Sequence, residues 1–87
     1  MTAYPQARLG DITSHGGTII TGAELTLVDG VPAARMGDLH ACPDHGVTEI
    51  VQGSEKTLIE GKPAARLGDV ADCGAVIVTA SETALVE

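Results

Sequence analysis

The chain has 87 residues, 5 Lys or Arg against 12 Asp or Glu, and a formal net charge of −7. So acidic a surface argues against nucleic acid or an anionic membrane as partner, since both require clustered basic side chains, and no apolar stretch approaches the length of a membrane span. With no Phe, no Trp and one Tyr, packing falls to Ala, Val, Ile and Leu, and a single small domain over residues 1–87 with so light a core needs a staple: a disulfide, a metal or a partner.

The opening residues, Met1-Thr2-Ala3-Tyr4-Pro5, carry neither the basic segment nor the apolar run of a signal peptide. The chain is therefore expected to begin in the cytoplasm with its two Cys reduced, which favours a metal over a disulfide. Beyond that point, 11 Gly and 4 Pro divide the chain into short pieces rich in Val, Ile, Thr and Leu, the composition of strands and turns. The pattern predicts strands over 18–21, 24–28, 47–51, 56–60, 75–79 and 83–86. Asp29-Gly30 and Glu60-Gly61 read as tight turns. Ala33-Ala34-Arg35-Met36 reads as a further extended segment, because Gly37 would cut a helical turn short. The Gly-Asp pairs that follow read as turns, and Arg8, Arg35 and Arg66 as partners of Asp or Glu. The expected class is all-β.

The chain repeats itself. Gly30-Val31-Pro32-Ala33-Ala34-Arg35-Met36-Gly37-Asp38 returns as Gly61-Lys62-Pro63-Ala64-Ala65-Arg66-Leu67-Gly68-Asp69, and Ala7-Arg8-Leu9-Gly10-Asp11 opens the chain with a shorter copy. His15-Gly16, His45-Gly46 and Cys73-Gly74 follow, each leading into an apolar run and then into Gly22-Ala23-Glu24, Gly53-Ser54-Glu55 or Ala80-Ser81-Glu82. Three units of this length that pack together imply pseudo-three-fold symmetry. The middle unit carries extra residues within Leu39-His40-Ala41-Cys42-Pro43-Asp44.

All five His and Cys residues fall at or beside these matched positions: His15, His40, Cys42, His45 and Cys73. Around a common axis, His15, His45 and Cys73 would converge, and the insertion would supply a fourth ligand. His40 and Cys42 are two apart, so in an extended segment both point the same way and either can serve. Mixed His and Cys ligation suits zinc, and four protein ligands make a closed, structural site. The competing reading is a Cys42–Cys73 disulfide or a spare thiol.

At its Pro-Ala-Ala-Arg motifs the sequence resembles the PAAR-repeat proteins. Val31 to Asp38 and Lys62 to Asp69 carry the motif, with His15-Gly16-Gly17, Leu39-His40-Ala41-Cys42-Pro43 and Asp72-Cys73-Gly74 beside it. The resemblance implies a small cone of short β-hairpins with a structural zinc near its apex. It implies His15, His40, His45 and Cys73 as ligands, leaving Cys42 outside the set. Its partner would be a trimeric VgrG spike of a type VI secretion system, capped by one PAAR chain per trimer, with secreted effectors as cargo.

The expected function is therefore non-enzymatic: a spike tip without an effector extension, made in the bacterial cytoplasm and exported with the spike. Alternatives are an effector-recruiting adaptor or the tip of a contractile phage tail. A metalloenzyme would need an open metal position and a general base, for which Glu49 or Asp44 beside His45 are the candidates.

Overall fold

The structure is a computed structural model and describes residues 3–87. These residues contain no helix and form nine short strands: β1 (Tyr4–Pro5), β2 (Thr18–Ile19), β3 (Leu27–Val28), β4 (Val31–Pro32), β5 (Leu39–Cys42), β6 (Gly46–Glu49), β7 (Leu58–Ile59), β8 (Lys62–Pro63) and β9 (Leu85–Val86). The chain is all-β, as the composition implies. The segment over 75–79 joins only through single bridges, Val70 to Val76 and Thr13 to Ile77. Four strands, β1, β4, β5 and β8, fall outside the segments that the sequence pattern predicts; of these β5 is paired on both sides, with β2 and β6.

The hairpins β3–β4 and β7–β8 turn through Asp29-Gly30 and Glu60-Gly61. Asp29 (φ 55°) and Glu60 (φ 52°) sit with their glycines in the left-handed region, the conformation of a two-residue turn whose twist matches the strands. Each acidic side chain is held in place. Asp29 accepts from the hydroxyls of Ser81 (2.6 Å) and Thr83 (2.6 Å) and from Arg8 (3.1 Å). Glu60 accepts from the Leu25 N–H and the Thr26 hydroxyl. β1 pairs with β9 where a third hairpin would stand.

The three copies close on themselves around an axis. The N–H of Ala7 donates to the Ala65 carbonyl (3.0 Å), that of Ala34 to Ala7 (2.9 Å) and that of Ala65 to Ala34 (3.0 Å), so three equivalent alanines form a ring of hydrogen bonds. Only a side chain as small as Ala lets three backbones approach so closely. Ile19, Ile50 and Ile77 pack against these alanines. Each Ile pairs with the next unit: Ile19 opposite His40, Ile50 opposite Ala71, Ile77 opposite Thr13. Fully burying such a side chain stabilises by about 1.5–3 kcal/mol. A second cluster, of Ala23, Ala33, Ile59 and Ala64 with Val28 and Val86 against it, fills the hairpin region.

Each Arg-x-x-Asp step is a clip. Arg35 donates its backbone N–H (2.7 Å) and Nε (3.0 Å) to one oxygen of Asp38 and Nη2 (3.0 Å) to the other. Arg8 with Asp11 and Arg66 with Asp69 repeat the arrangement. These are the ion pairs and turns that the sequence predicts. The Pro-Ala-Ala-Arg segments leading into them are extended, with bridges at Ala33, Arg35, Ala64 and Arg66.

Candidate metal centre

Three turns meet on the axis beyond the isoleucine layer. The first carries His15, with Gly16 (φ 83°) completing it. The second runs from the end of β5, where Cys42 is buried, through Pro43 and Asp44 to His45, whose N–H donates to the Cys42 carbonyl (3.3 Å). The third carries Cys73, in a turn closed by Gly74 N–H to the Ala71 carbonyl (2.8 Å).

One ligand atom each from His15, Cys42, His45 and Cys73 lies within 4.8 Å of all the others. Cys42 Sγ is 3.5 Å from His15 Nδ1 and 3.3 Å from His45 Nδ1, and Cys73 Sγ is 3.8 Å from His15 Nδ1. The imidazoles lie 5.2 Å apart between centroids, tilted by 36°. In a tetrahedral zinc site, with metal–sulfur bonds near 2.3 Å and metal–nitrogen bonds of about 2.0–2.1 Å, neighbouring sulfur and nitrogen ligands stand about 3.5 Å apart. The three separations bracket that value, so these residues fit a tetrahedral ion.

The gathered set differs from the one the resemblance implies at one place: Cys42 stands where His40 is expected. The physical reason lies in β5. His40 and Cys42 do point the same way, and both are buried, but His40 sits one layer deeper, opposite Ile19. Its Nε2 meets the Thr13 hydroxyl at 2.7 Å, its Nδ1 meets Thr48 Oγ1 at 3.3 Å, and that nitrogen is 4.0 Å from Cys73 Sγ. Gly17 makes room for the ring: a Cβ there would strike the Ala41 carbonyl and His40 Nε2.

Burial, reinforced by the neighbouring His15, pushes the His40 pKa down and keeps the ring neutral. Thr48 donates its hydroxyl hydrogen to Cys73 Sγ (3.7 Å). The neutral ring then satisfies both neighbours if Nδ1–H donates to Thr48 and Nε2 accepts from Thr13. The result is a hydrogen-bond chain, Thr13 to His40 to Thr48 to Cys73, that ends on a thiol of the cluster. Burial opposes ionisation of that thiol, but hydrogen bonds from the Ala75 N–H, Thr48 and Cys42 outweigh it and hold Cys73 below the usual thiol range.

A signal for Cys42 is present in the sequence. Counted forward from the Gly-Asp step, His15, Cys42 and Cys73 each stand four residues after Asp11, Asp38 and Asp69. By the same count Thr13, His40 and Ala71 are equivalent, and all three are buried on the axis at 3%, 0% and 2% exposure. The extra residues of the middle unit therefore fall after Cys42, and they bring His45 back as the fourth donor.

Glu49 and Asp44, the general-base candidates, are both exposed, and neither belongs to the four-residue group.

Comparison with known proteins agrees with the repeats. No curated protein matches the chain. A family model described as the PAAR motif matches residues 9–79, a span that begins in the first copy and includes all four residues of the cluster. The chain belongs to the PAAR motif family.

Proposed function

We propose that the protein is a non-enzymatic spike tip that caps a trimeric VgrG-like spike of a type VI secretion system. Membership of the PAAR motif family fits a spike-associated role of this kind. The observation that carries the reading is a three-fold set of exposed leucines. Leu27, Leu58 and Leu85 stand at equivalent positions of β3, β7 and β9, at 59%, 62% and 60% exposure. One chain would thus offer a three-fold partner the same exposed leucine three times, apolar surface that such a partner would cover. A monomer with internal symmetry satisfies a trimer with one chain per trimer. The protein acts as a single domain, made in the bacterial cytoplasm and carried out with the spike, and effectors travel as cargo on the same assembly.

The cluster of His15, Cys42, His45 and Cys73 holds a structural zinc in this reading. Three imidazole- or thiol-bearing turns that meet at one point would be cross-linked by the ion, whose binding then contributes to folding. When bound, the metal supplies cross-linking of the three turns. His40 is a neutral support beneath it.

Native mass spectrometry of the purified chain mixed with a purified trimeric VgrG spike tests the proposal. A complex of one chain with three spike subunits is expected, and Leu27→Asp, Leu58→Asp and Leu85→Asp combined should abolish it while the far-UV circular dichroism stays unchanged. Absence of any complex with a cognate spike, or an undiminished complex with the triple variant, would reject this docking surface.

A further inference from the structure

The metal cluster contains two sulfurs, and they come from different repeats. Cys42 and Cys73 are both free thiols, and they are the only cysteines of the chain. Their Sγ atoms lie within 4.8 Å of one another and share His15 Nδ1 as a neighbour. Both stand beside turns, Cys42 at the last paired position of β5, opposite Gly46, and Cys73 in the turn between the hydrogen-bonded residues Ala71 and Ala75. The turn that carries Cys73, moving against the end of β5, would close the distance that separates contact from a sulfur–sulfur bond of about 2.05 Å.

We propose that Cys42 and Cys73 form a thiol switch, in which an external organic disulfide converts them to an intramolecular disulfide and expels the metal. The inference rests on the metal reading of this site. Cys73 is the more exposed of the two, whereas Cys42 is 4% exposed. Cys73 Sγ therefore attacks a sulfur of the incoming disulfide R–S–S–R; the new bond joins Cys73 to one R–S group, and the other leaves as a thiolate. Cys42 Sγ then attacks the Cys73 sulfur, the Cys42–Cys73 bond forms, and the second R–S group leaves. Both cysteine sulfurs are oxidised, the external disulfide is reduced to two thiols, and two protons from solvent protonate the leaving thiolates. The divalent ion departs because two of its four ligands no longer exist, and only His15 and His45 remain of the donor set. A site with a single sulfur cannot do this. The exchange would lock the turns covalently in an oxidising compartment where the ion is no longer held.

The test uses the full chain loaded with Zn2+ and incubated at neutral pH with excess oxidised glutathione. A metallochromic dye reads released zinc, and intact-mass and peptide mapping read the thiols. Zinc release and loss of two hydrogen atoms in mass should rise together in equal amounts, map to a Cys42–Cys73 link, and reverse with a thiol reductant and fresh Zn2+. Cys42→Ala should stop at one mixed disulfide on Cys73. Separate glutathione adducts on both cysteines, or two intact thiols in a buffer that fully oxidises an exposed control dithiol, would overturn the proposal. If the reduced chain binds no Zn2+, the metal reading fails by itself, and the mass change of the metal-free chain alone still decides whether the two sulfurs bridge.

Discussion

Thr13 and His40 occupy the same step of successive repeats, and their side chains meet across the axis at 2.7 Å. This contact ties the ring of His40 into the layer beneath the metal cluster and removes Nε2 from the metal-facing side. A ligand and a support respond differently to mutation. Cys42→Ser should lower Zn2+ affinity by well over about 100-fold, whereas His40→Asn should lower it by about 10–100-fold, the range of an outer-shell partner, and keep the bound stoichiometry. Competition with a metallochromic chelator measures both, and in the Co2+ form only Cys42→Ser should remove a sulfur charge-transfer contribution. An equal loss in the two variants would move His40 into the ligand shell.

Gly17 is a glycine for reasons of space. Its backbone lies against the Ala41 carbonyl and the His40 ring, and no Cβ fits there. Gly17→Ala should destabilise the fold at the upper end of the about 1–3 kcal/mol seen for overpacking, with loss of metal affinity because His40 must move. Gly10→Ala is the control. At φ 90° it suffers only backbone strain, since none of the described residues lies within 4 Å of a Cβ there. Urea unfolding of the two variants separates crowding from conformational strain.

The Arg35–Asp38 clip makes stability depend on pH. Burial raises the Asp38 pKa, but hydrogen bonds from Arg35 and Thr21 outweigh it, and the net pKa falls below the ordinary value of 3.8. The unfolded chain therefore binds this proton first as the pH falls. The contribution of Asp38 is complete above 3.8 and disappears as the pH drops through the lower folded value. Urea midpoints of wild type and Asp38→Asn should differ at neutral pH and converge toward pH 2. A constant difference would show that the carboxylate charge is not what the clip uses.

Gln6 fills the place that Ala33 and Ala64 hold in the other two copies. It is 1% exposed, its Nε2 donates to the Ala7 and Ala34 carbonyls (2.7 and 2.9 Å), and its Oε1 has no partner among the described residues. A buried acceptor without a donor costs about 1–3 kcal/mol. Gln6→Met keeps the length of the side chain and removes that oxygen. It should be neutral or should raise the melting temperature, by calorimetry; a clear fall would mean that the two carbonyl contacts outweigh the orphaned oxygen.

Much of this was legible in the residues. The doubled Pro-Ala-Ala-Arg copies announce the three units, and Asp29-Gly30 and Glu60-Gly61 announce their hairpin turns. Arg8, Arg35 and Arg66 read as partners of Asp or Glu, and the fold makes those partners Asp11, Asp38 and Asp69. What escaped had two equally good fixed points. The middle unit can be aligned from Asp38 forward, which selects Cys42, or from Gly46 backward, which selects His45. Sequence alone does not say on which side the extra residues lie, and in the fold both positions are used. β5 escaped because Leu-His-Ala-Cys does not look like a strand until its neighbours on both sides are known. Gln6 escaped because it is polar where its equivalents are Ala, so the first copy seemed to begin one residue later.

The hydrogen-bond ring of Ala7, Ala34 and Ala65 has one more consequence. In a linear array of repeats the outermost unit has a single neighbour and frays first. Here the first copy bonds to the third as it does to the second, so every unit has two neighbours. Unfolding should be all-or-none, without a partly melted end. Because Tyr4 lies opposite Val86, the order of the copies along the chain is also secondary to their order around the axis. A circular permutant opened at Gly30 or Gly61 and joined near β1 and β9 would rebuild the same three-membered ring.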